Sequence, residues 1–250
     1  MSSDSKSVLI TGAGHGIGKA TAQLMAARGW TVGVNDLKPE FAEEAVAAIT
    51  AAGGRAFPVV QNVSTYDGIE AAINAVVSET GRLDGLVNNA AWVRYQPIPD
   101  IMPETVERML AVGFTGVIWA TQLAAAAMDE TRGGAIVNVA SAAGFRSAPR
   151  SMVYSGIKAG VMGMTRASAV ELGPRNIRVN AVAPSAVPTE GTAKHRSAER
   201  DAKRIADTPL GRLGTVEDIA RAIGYLLGEE SDFITGQVLS ADGGIGIAIT

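Results

Sequence analysis

Three side chains in this sequence have the types and the spacing for moving a proton to and from an oxygen. Tyr154 and Lys158 stand four residues apart, so in a helix they share one face. Ser141 precedes Tyr154 by thirteen residues and follows the apolar run 136–139. A phenol titrates near about 10, so acid/base work near neutrality requires its pKa to be drawn down, at about 1.4 kcal/mol per unit. An ammonium one helical turn away favours the phenolate and is expected to do this. Ser141 could hold a substrate oxygen against the Tyr154 hydroxyl. The chemistry that fits is proton transfer at a carbonyl or an alcohol. Tyr-x-x-x-Lys alone is a common surface pair, so its weight depends on what accompanies it.

What accompanies it is a glycine-rich turn, Thr11-Gly12-Ala13-Gly14-His15-Gly16-Ile17-Gly18, after a short apolar run and before a helix-like segment. Glycines there let the backbone turn tightly and let a pyrophosphate approach the free N–H groups of a helix start. The spacing is G-x-x-x-G-x-G through Gly12, Gly16 and Gly18, not G-x-G-x-x-G, and no Lys-Ser/Thr pair of a nucleotide-triphosphate loop follows. The next apolar run ends at Asn35-Asp36-Leu37. An acid at that point accepts hydrogen bonds from ribose hydroxyls and repels a 2′-phosphate, which favours NAD over NADP. The competing reading is a helix-capping Asp before Pro39-Glu40. A further run ends in Asn88-Asn89-Ala90-Ala91, where amide side chains can tie strand ends together and small residues let a flat ring lie close.

These residues need a scaffold, and the chain supplies one type of unit repeatedly. Short apolar runs at 8–11, 31–35, 56–60, 83–88, 135–139 and 177–182 alternate with helix-like segments at 17–28, 40–52, 67–80, 103–128 and 153–172. A helix at 216–227 and a strand near 237–240 close the series. Alternating βαβα order implies a parallel sheet covered on both faces, hence an α/β, single-domain, Rossmann-type doubly wound sheet of about seven strands over residues 1–250. In such sheets ligands bind at the carboxyl ends of the strands, which is where all the residues above fall.

Composition excludes several alternatives. The chain has 250 residues, 47% hydrophobic and 19% charged, with no Cys, two His and a net charge of −3. Without Cys there is no disulfide scaffold, thiolate zinc site or Cys nucleophile, and two histidines give no basis for a metal site. The acidic balance and the absence of a basic run argue against a nucleic-acid partner. The first residues lack an apolar signal segment, so a cytoplasmic location is expected. The stretch 109–128 is free of charge and as long as a membrane span. Gly113, Thr115, Gly116, Thr121 and Gln122 interrupt it, and a helix buried all round in a soluble protein is the expected reading.

Taken together, the chain resembles the short-chain dehydrogenase/reductase family of about 250 residues over essentially its whole length. The matching elements are 11–18, Asp36, 88–90, Ser141, Tyr154-Ser155-Gly156-Ile157-Lys158, Asn180-Ala181-Val182, Pro184 with Thr189, and Gly236-Gln237 before Asp242-Gly243-Gly244. The resemblance implies Tyr154 as general acid/base, Ser141 orienting the substrate oxygen, and Lys158 lowering the Tyr154 pKa and binding the nicotinamide ribose. It implies an NAD site built from Gly12, His15, Gly16, Ile17, Asp36, Leu37, Asn62, Val63, Asn89, Ala90, Tyr154, Lys158, Pro184, Val187 and Thr189. Four positions depart from the family pattern. Gly113 stands where an Asn of the proton relay is usual and marks a local bulge in the helix. Ala91 and Ser185 replace glycines. Asn62 replaces an Asp at the adenine pocket, where its carbonyl could still accept a hydrogen bond.

The implied reaction is hydride transfer between NAD(H) and a secondary alcohol or ketone. Alternatives are a 3-oxoacyl-(acyl-carrier-protein) type reductase, disfavoured by Asp36, and a non-catalytic NAD(H)-binding module, suggested by Gly113. Substrate choice is expected around Trp92, Val93, Arg94, Tyr95, the stretch 142–149, Arg150, Met152 and a mobile lid at 190–209. Arg94 or Arg150 could bind an anionic tail, and Trp92 and Phe145 could form an apolar wall. The resemblance also implies a homotetramer, with 109–128 and 245–249 as interface surfaces.

Overall fold

Period-two alternation in the apolar runs decides which way each side chain faces. In β1 (Ser7–Ile10), Val8 and Ile10 face one side of the sheet and Leu9 the other. A computed structural model of the protein describes residues 5–191 and 197–248. It contains seven strands: β1, β2 (Thr31–Asp36), β3 (Arg55–Val60), β4 (Gly85–Asn88), β5 (Gly134–Val139), β6 (Ile177–Pro184) and β7 (Val238–Ala241). They form one sheet in the order β3-β2-β1-β4-β5-β6-β7, and every pairing is parallel. The direction of winding reverses beside β1, between β2 and β4. There the crevice of a doubly wound sheet opens.

The two faces carry separate apolar layers. Helices α1 (Gly16–Ala27), α2 (Pro39–Ala51) and α8 (Val216–Leu227) bury Met25, Ile49, Ile219, Ile223 and Leu226 against Val8, Ile10 and Val34. Helices α3 (Tyr66–Thr80), α5 (Gly116–Ala127) and α6 (Met152–Leu172) bury Ile69, Val76, Ala124 and Ala169 against Leu9, Leu86 and Ile136. Each large side chain taken fully out of water contributes about 1.5–3 kcal/mol. Local signals agree with the packing. Thr65 caps α3 by accepting from the Gly68 amide, and Thr215 and Asp218 form a reciprocal capping box on α8.

The charge-free stretch behaves differently from a helix buried all round. It begins with α4 (Pro103–Leu110), widens into a π-turn at Ala111–Thr115, and continues as α5. Ala120, Ala124 and Ala125 press onto the sheet, while Leu110, Ile118 and Trp119 face outward. Its small residues thus have a packing role, which accounts for the missing charges without a membrane. The bulge expected at Gly113 is this π-turn. Gly113 is buried, and a Cβ there would stand 3.2 Å from Cγ2 of Ile157. Ile157 is itself buried on α6, one residue before Lys158. A larger side chain must push that Ile157 methyl aside by a few tenths of an ångström. Gly113→Asn is expected to cost about 1–3 kcal/mol by overpacking, while Gly113→Ala stays within about 1 kcal/mol because helix propensity offsets the contact. Urea unfolding of both variants measures this, and an unchanged Gly113→Asn would refute it.

Candidate active site

The carboxyl edge of the sheet is built on one hydroxyl. Thr11 follows β1, and its Oγ1 accepts the backbone N–H groups of Asn89 and Ala90, both at 3.0 Å. The Asn89 amide returns the bond, with Nδ2 donating to the carbonyls of Thr11 (2.8 Å) and Gly12 (2.9 Å). On the other side, Asn35 Nδ2 donates to the carbonyls of Val59 (2.9 Å) and Gln61 (3.0 Å), and its backbone carbonyl accepts from Ala13 at 2.7 Å. The ends of β1, β2, β3 and β4 are therefore locked around the glycine-rich turn. Gly12 sits at φ +61, and a Cβ on it would come 2.9 Å from Cα of Ala90. The backbone runs too close there for any side chain.

Beyond this turn, α1 starts with an open N-terminus. His15 occupies the capping position but makes no side-chain cap bond, and the first turn holds no acid. Thr189 leans over Gly16, with Cγ2 3.3 Å from where a Cβ of Gly16 would lie. Asp36 ends β2 with its carboxylate turned to the same place. Oδ2 accepts from Gly14 N at 3.3 Å and Oδ1 from Lys38 N at 3.1 Å. Asp36 is thus not the cap of α2, whose N-cap is Lys38. Leu37 is exposed beside it, Ile17 and Val63 are half-buried, and Pro184 and Val187 are buried. The Asn62 carbonyl does not remain free as expected. It accepts both N–H and hydroxyl of Ser64, at 3.1 and 2.8 Å, so any adenine contact falls to its NH2 group.

Ser141, Tyr154 and Lys158 meet at the end of β5. Ser141 Oγ accepts from Ala143 N at 3.1 Å, and its hydroxyl lies near enough to the Tyr154 phenol to favour the charged form. Lys158 is buried, donates from Nζ to the carbonyl of Val139 at 2.6 Å, and lies 5.9 Å from the Tyr154 ring centroid. The expected lowering of Tyr154 by Lys158 is not found here. Burial pushes Tyr154 up to about 12, opposed by the nearby Ser141 hydroxyl. Burial pushes Lys158 down to about 8. The cause is desolvation of both groups, which disfavours the charged form of each. Tyr154 is accordingly a protonated donor throughout the physiological range.

Asn35, Asn138 and Thr165 join this picture without a signal in the sequence, while Tyr95 and Asn88 fall where the sequence placed them. The Thr11 hydroxyl and Asn35 look like ordinary strand-end polar residues. Tyr95 packs edge-on against Tyr154, with ring centroids 5.7 Å apart. Asn88 donates to Asn138 at 2.8 Å, which donates to Thr165 at 2.9 Å, tying β4 and β5 to α6. Among the substrate candidates, Arg108 stacks on Trp92 at 4.4 Å, while Arg94, Phe145, Arg150 and Met152 are exposed. Arg150 takes φ +70, and its carbonyl accepts from Gln96 N at 3.0 Å. Of the expected lid, 198–207 forms α7 (Ala198–Asp207), and 192–196, including His195 and Arg196, lie outside the described residues. A cavity of about 310 Å³ opens at the opposite, amino edge of the sheet. Its cations are engaged by Glu229, Asp84, Asp129 and main-chain carbonyls, so it reads as a paired polar layer.

The buried lysine has a consequence for stability. Lys158 binds its proton less tightly folded than unfolded, so between about pH 8 and about pH 10.4 the unfolded chain holds more protons and stability from this group rises with pH. Wild type is expected to gain on the order of 1–3 kcal/mol relative to Lys158→Met across that window. Parallel stability–pH curves for the two proteins would refute it.

Known proteins share this arrangement along their length. A family profile described as "Enoyl-(Acyl carrier protein) reductase" matches residues 12–246. A 3-oxoacyl-(acyl-carrier-protein) reductase of Thermotoga maritima is 40% identical, covering 97% of this chain and 98% of that protein. A 2-(S)-hydroxypropyl-CoM dehydrogenase of Xanthobacter autotrophicus is 36% identical, covering 95% of each. A short-chain type dehydrogenase/reductase from Mycobacterium marinum superposes with a TM-score of 0.91 at 33% identity, over 97% of this chain and 96% of that one. With sequence and sheet both matched nearly end to end, the chain belongs to the short-chain dehydrogenase/reductase family of oxidoreductases.

Proposed function

We propose that this oxidoreductase is NAD-dependent and interconverts a secondary alcohol and a ketone, with Tyr154 as the general acid/base. The observation that carries the reading is the convergence of Ser141, Tyr154 and the buried Lys158, whose Nζ lies 5.9 Å from the Tyr154 ring centroid, at the same sheet edge as the Asp36 carboxylate. Family members bind a nicotinamide dinucleotide, and the residues present suit one. The closely approached Gly12 backbone and the uncapped α1 N-terminus suit a pyrophosphate, and Asp36 suits a ribose diol. When bound, that cofactor supplies or accepts the hydride.

The chain's own residues do the rest. Ser141 donates to the substrate oxygen and fixes it at the Tyr154 hydroxyl. Tyr154, held protonated by burial, delivers a proton to the oxygen of a ketone as it is reduced. In the reverse direction the same group must take the alcohol proton, so oxidation is favoured as pH rises. Lys158, anchored by Val139, is placed to bond a ribose and to replenish the Tyr154 proton. Tyr95 forms one wall against the Tyr154 ring, at the mouth where a substrate enters.

A second reading, a reductase of acyl-carrier-protein-bound 3-ketones, is favoured by the name of the Thermotoga relative. Asp36, which repels a 2′-phosphate, weighs toward NAD. We also infer that copies of the chain associate through the outward apolar residues of α4 and α5 (Leu110, Ile118, Trp119) and those near β7 (Phe233, Leu239). Light scattering is expected to give a multiple of 25.7 kDa.

The test is a titration of NADH and NADPH followed by a carbonyl and alcohol panel. NADH is expected to bind tighter, and Tyr154→Phe to lose roughly a hundredfold to ten-thousandfold in kcat with NADH affinity retained. Turnover surviving in Tyr154→Phe would overturn the assignment. Binding without turnover of any substrate would favour the non-catalytic module.

A further inference from the structure

The mechanism above leaves one titratable group beside the cofactor cradle unused. Nδ1 of His15 lies 3.7 Å from Oδ2 of Asp36, the oxygen that also accepts the Gly14 amide. The imidazole tilts against the Phe41 ring at 5.6 Å, which holds it over the carboxylate. The Asp36 side chain is 9% exposed, and the His15 imidazole, 45% exposed, stands at its solvent side. Four charged groups surround the imidazole and its stacking partner. Asp36 comes from β2, Glu190 from the segment after β6, Lys19 from α1, and Lys38 lies over the far partner, Phe41, at 4.9 Å. Lys19 is itself engaged by Glu44 of α2 at 2.8 Å. The acids prevail. The neighbouring Asp36 carboxylate raises the His15 pKa above its ordinary value, although burial opposes it. Burial works to raise Asp36, but His15 and the Lys38 and Gly14 amides bring it below the usual carboxylate value.

Two charge states follow at one address. With neutral imidazole, Asp36 keeps a full negative charge, accepts hydroxyl donors and repels a phosphate. With imidazolium, one oxygen of Asp36 is taken by an ion pair, the local charge cancels, and a donor N–H faces the cradle. Resting on the dinucleotide reading, we propose that His15 determines cofactor choice as a function of pH: its neutral form leaves Asp36 to a 2′,3′-diol, and its protonated form pairs with Asp36 and admits a 2′-phosphate. His15 is a specificity-determining residue in this proposal and takes no part in the hydride or proton step.

Fluorescence titrations of the full chain with NADH and with NADPH test it at about pH 6 and about pH 8.5, either side of the histidine range. In wild type the preference for NADH over NADPH is expected to shrink about fivefold or more toward acid, and in His15→Gln to change by less than about twofold. The 2′-phosphate itself titrates near about 6, equally in both proteins, so the difference between them isolates His15. NMR of the imidazole C–H signals gives a second reading without affinity. The chain has two histidines, so assignment needs one variant. NADPH should raise the His15 pKa and NADH lower it, and Asp36→Asn should lower it in the free protein. Equal slopes in wild type and His15→Gln, or a His15 pKa blind to both cofactors, overturn the proposal while the dinucleotide reading stands. Absence of binding by either cofactor overturns both.

Discussion

A parallel sheet points every strand end the same way, and each end leaves backbone donors and acceptors that must find partners. Here the partners are supplied by four short polar side chains rather than by further backbone. Thr11, Asn35, Asn88 and Asn89 bridge neighbouring strands at the edge where the ladder stops. Everything at the site hangs from these bridges. They fix the glycine turn, the turn fixes the start of α1, and β5 is bound through Asn138 to the helix that carries Tyr154 and Lys158. A loop would leave those groups adjustable by more than an ångström. Strand ends tied to one another do not.

The second governing fact is dryness. Lys158 is buried and Tyr154 half-buried, and both are pushed toward neutrality. A neutral phenol held in place is a good donor to an oxygen that is gaining charge. A lysine on the edge of deprotonation can pass a proton on without much cost. Burial of Lys158 works against fold stability below its titration range, which is the ordinary bargain of an active site on a stable sheet.

Much of this was legible in the residues. Alternation of apolar runs with Ala-rich helices gave all seven strands within two residues, because a doubly covered sheet leaves no freedom in where apolar side chains go. The cluster Ser141, Tyr154 and Lys158 followed from spacing on a helix and from the position of Ser141 after a strand. Other features depended on distances that only the folded chain defines. Spacing cannot show that two polar groups will be dry, so the Tyr154 shift came out opposite in direction to that expected from Lys158. Nor can it show that the Asn62 carbonyl is turned to Ser64, that His15 rests against Asp36, or that Thr11 binds two amides at once. Uncharged composition likewise misled for 109–128, since the outward Leu110, Ile118 and Trp119 look the same on paper as inward ones.

The π-turn at Ala111–Thr115 carries one more implication. Inward positions before and through it fall every four residues, at Thr105, Met109, Gly113 and Val117. In a regular helix each such step walks about 40° around the axis, so the fourth residue would face well away from the first. The wider turn holds one surplus residue and takes up that drift. What the segment conserves is therefore a phase, set by chain length rather than by any side chain. A chain one residue shorter between 111 and 115 closes a regular α-helix with Met109 and Val117 seven residues apart, about 20° from alignment, so the surplus residue is removable without turning either face from the sheet.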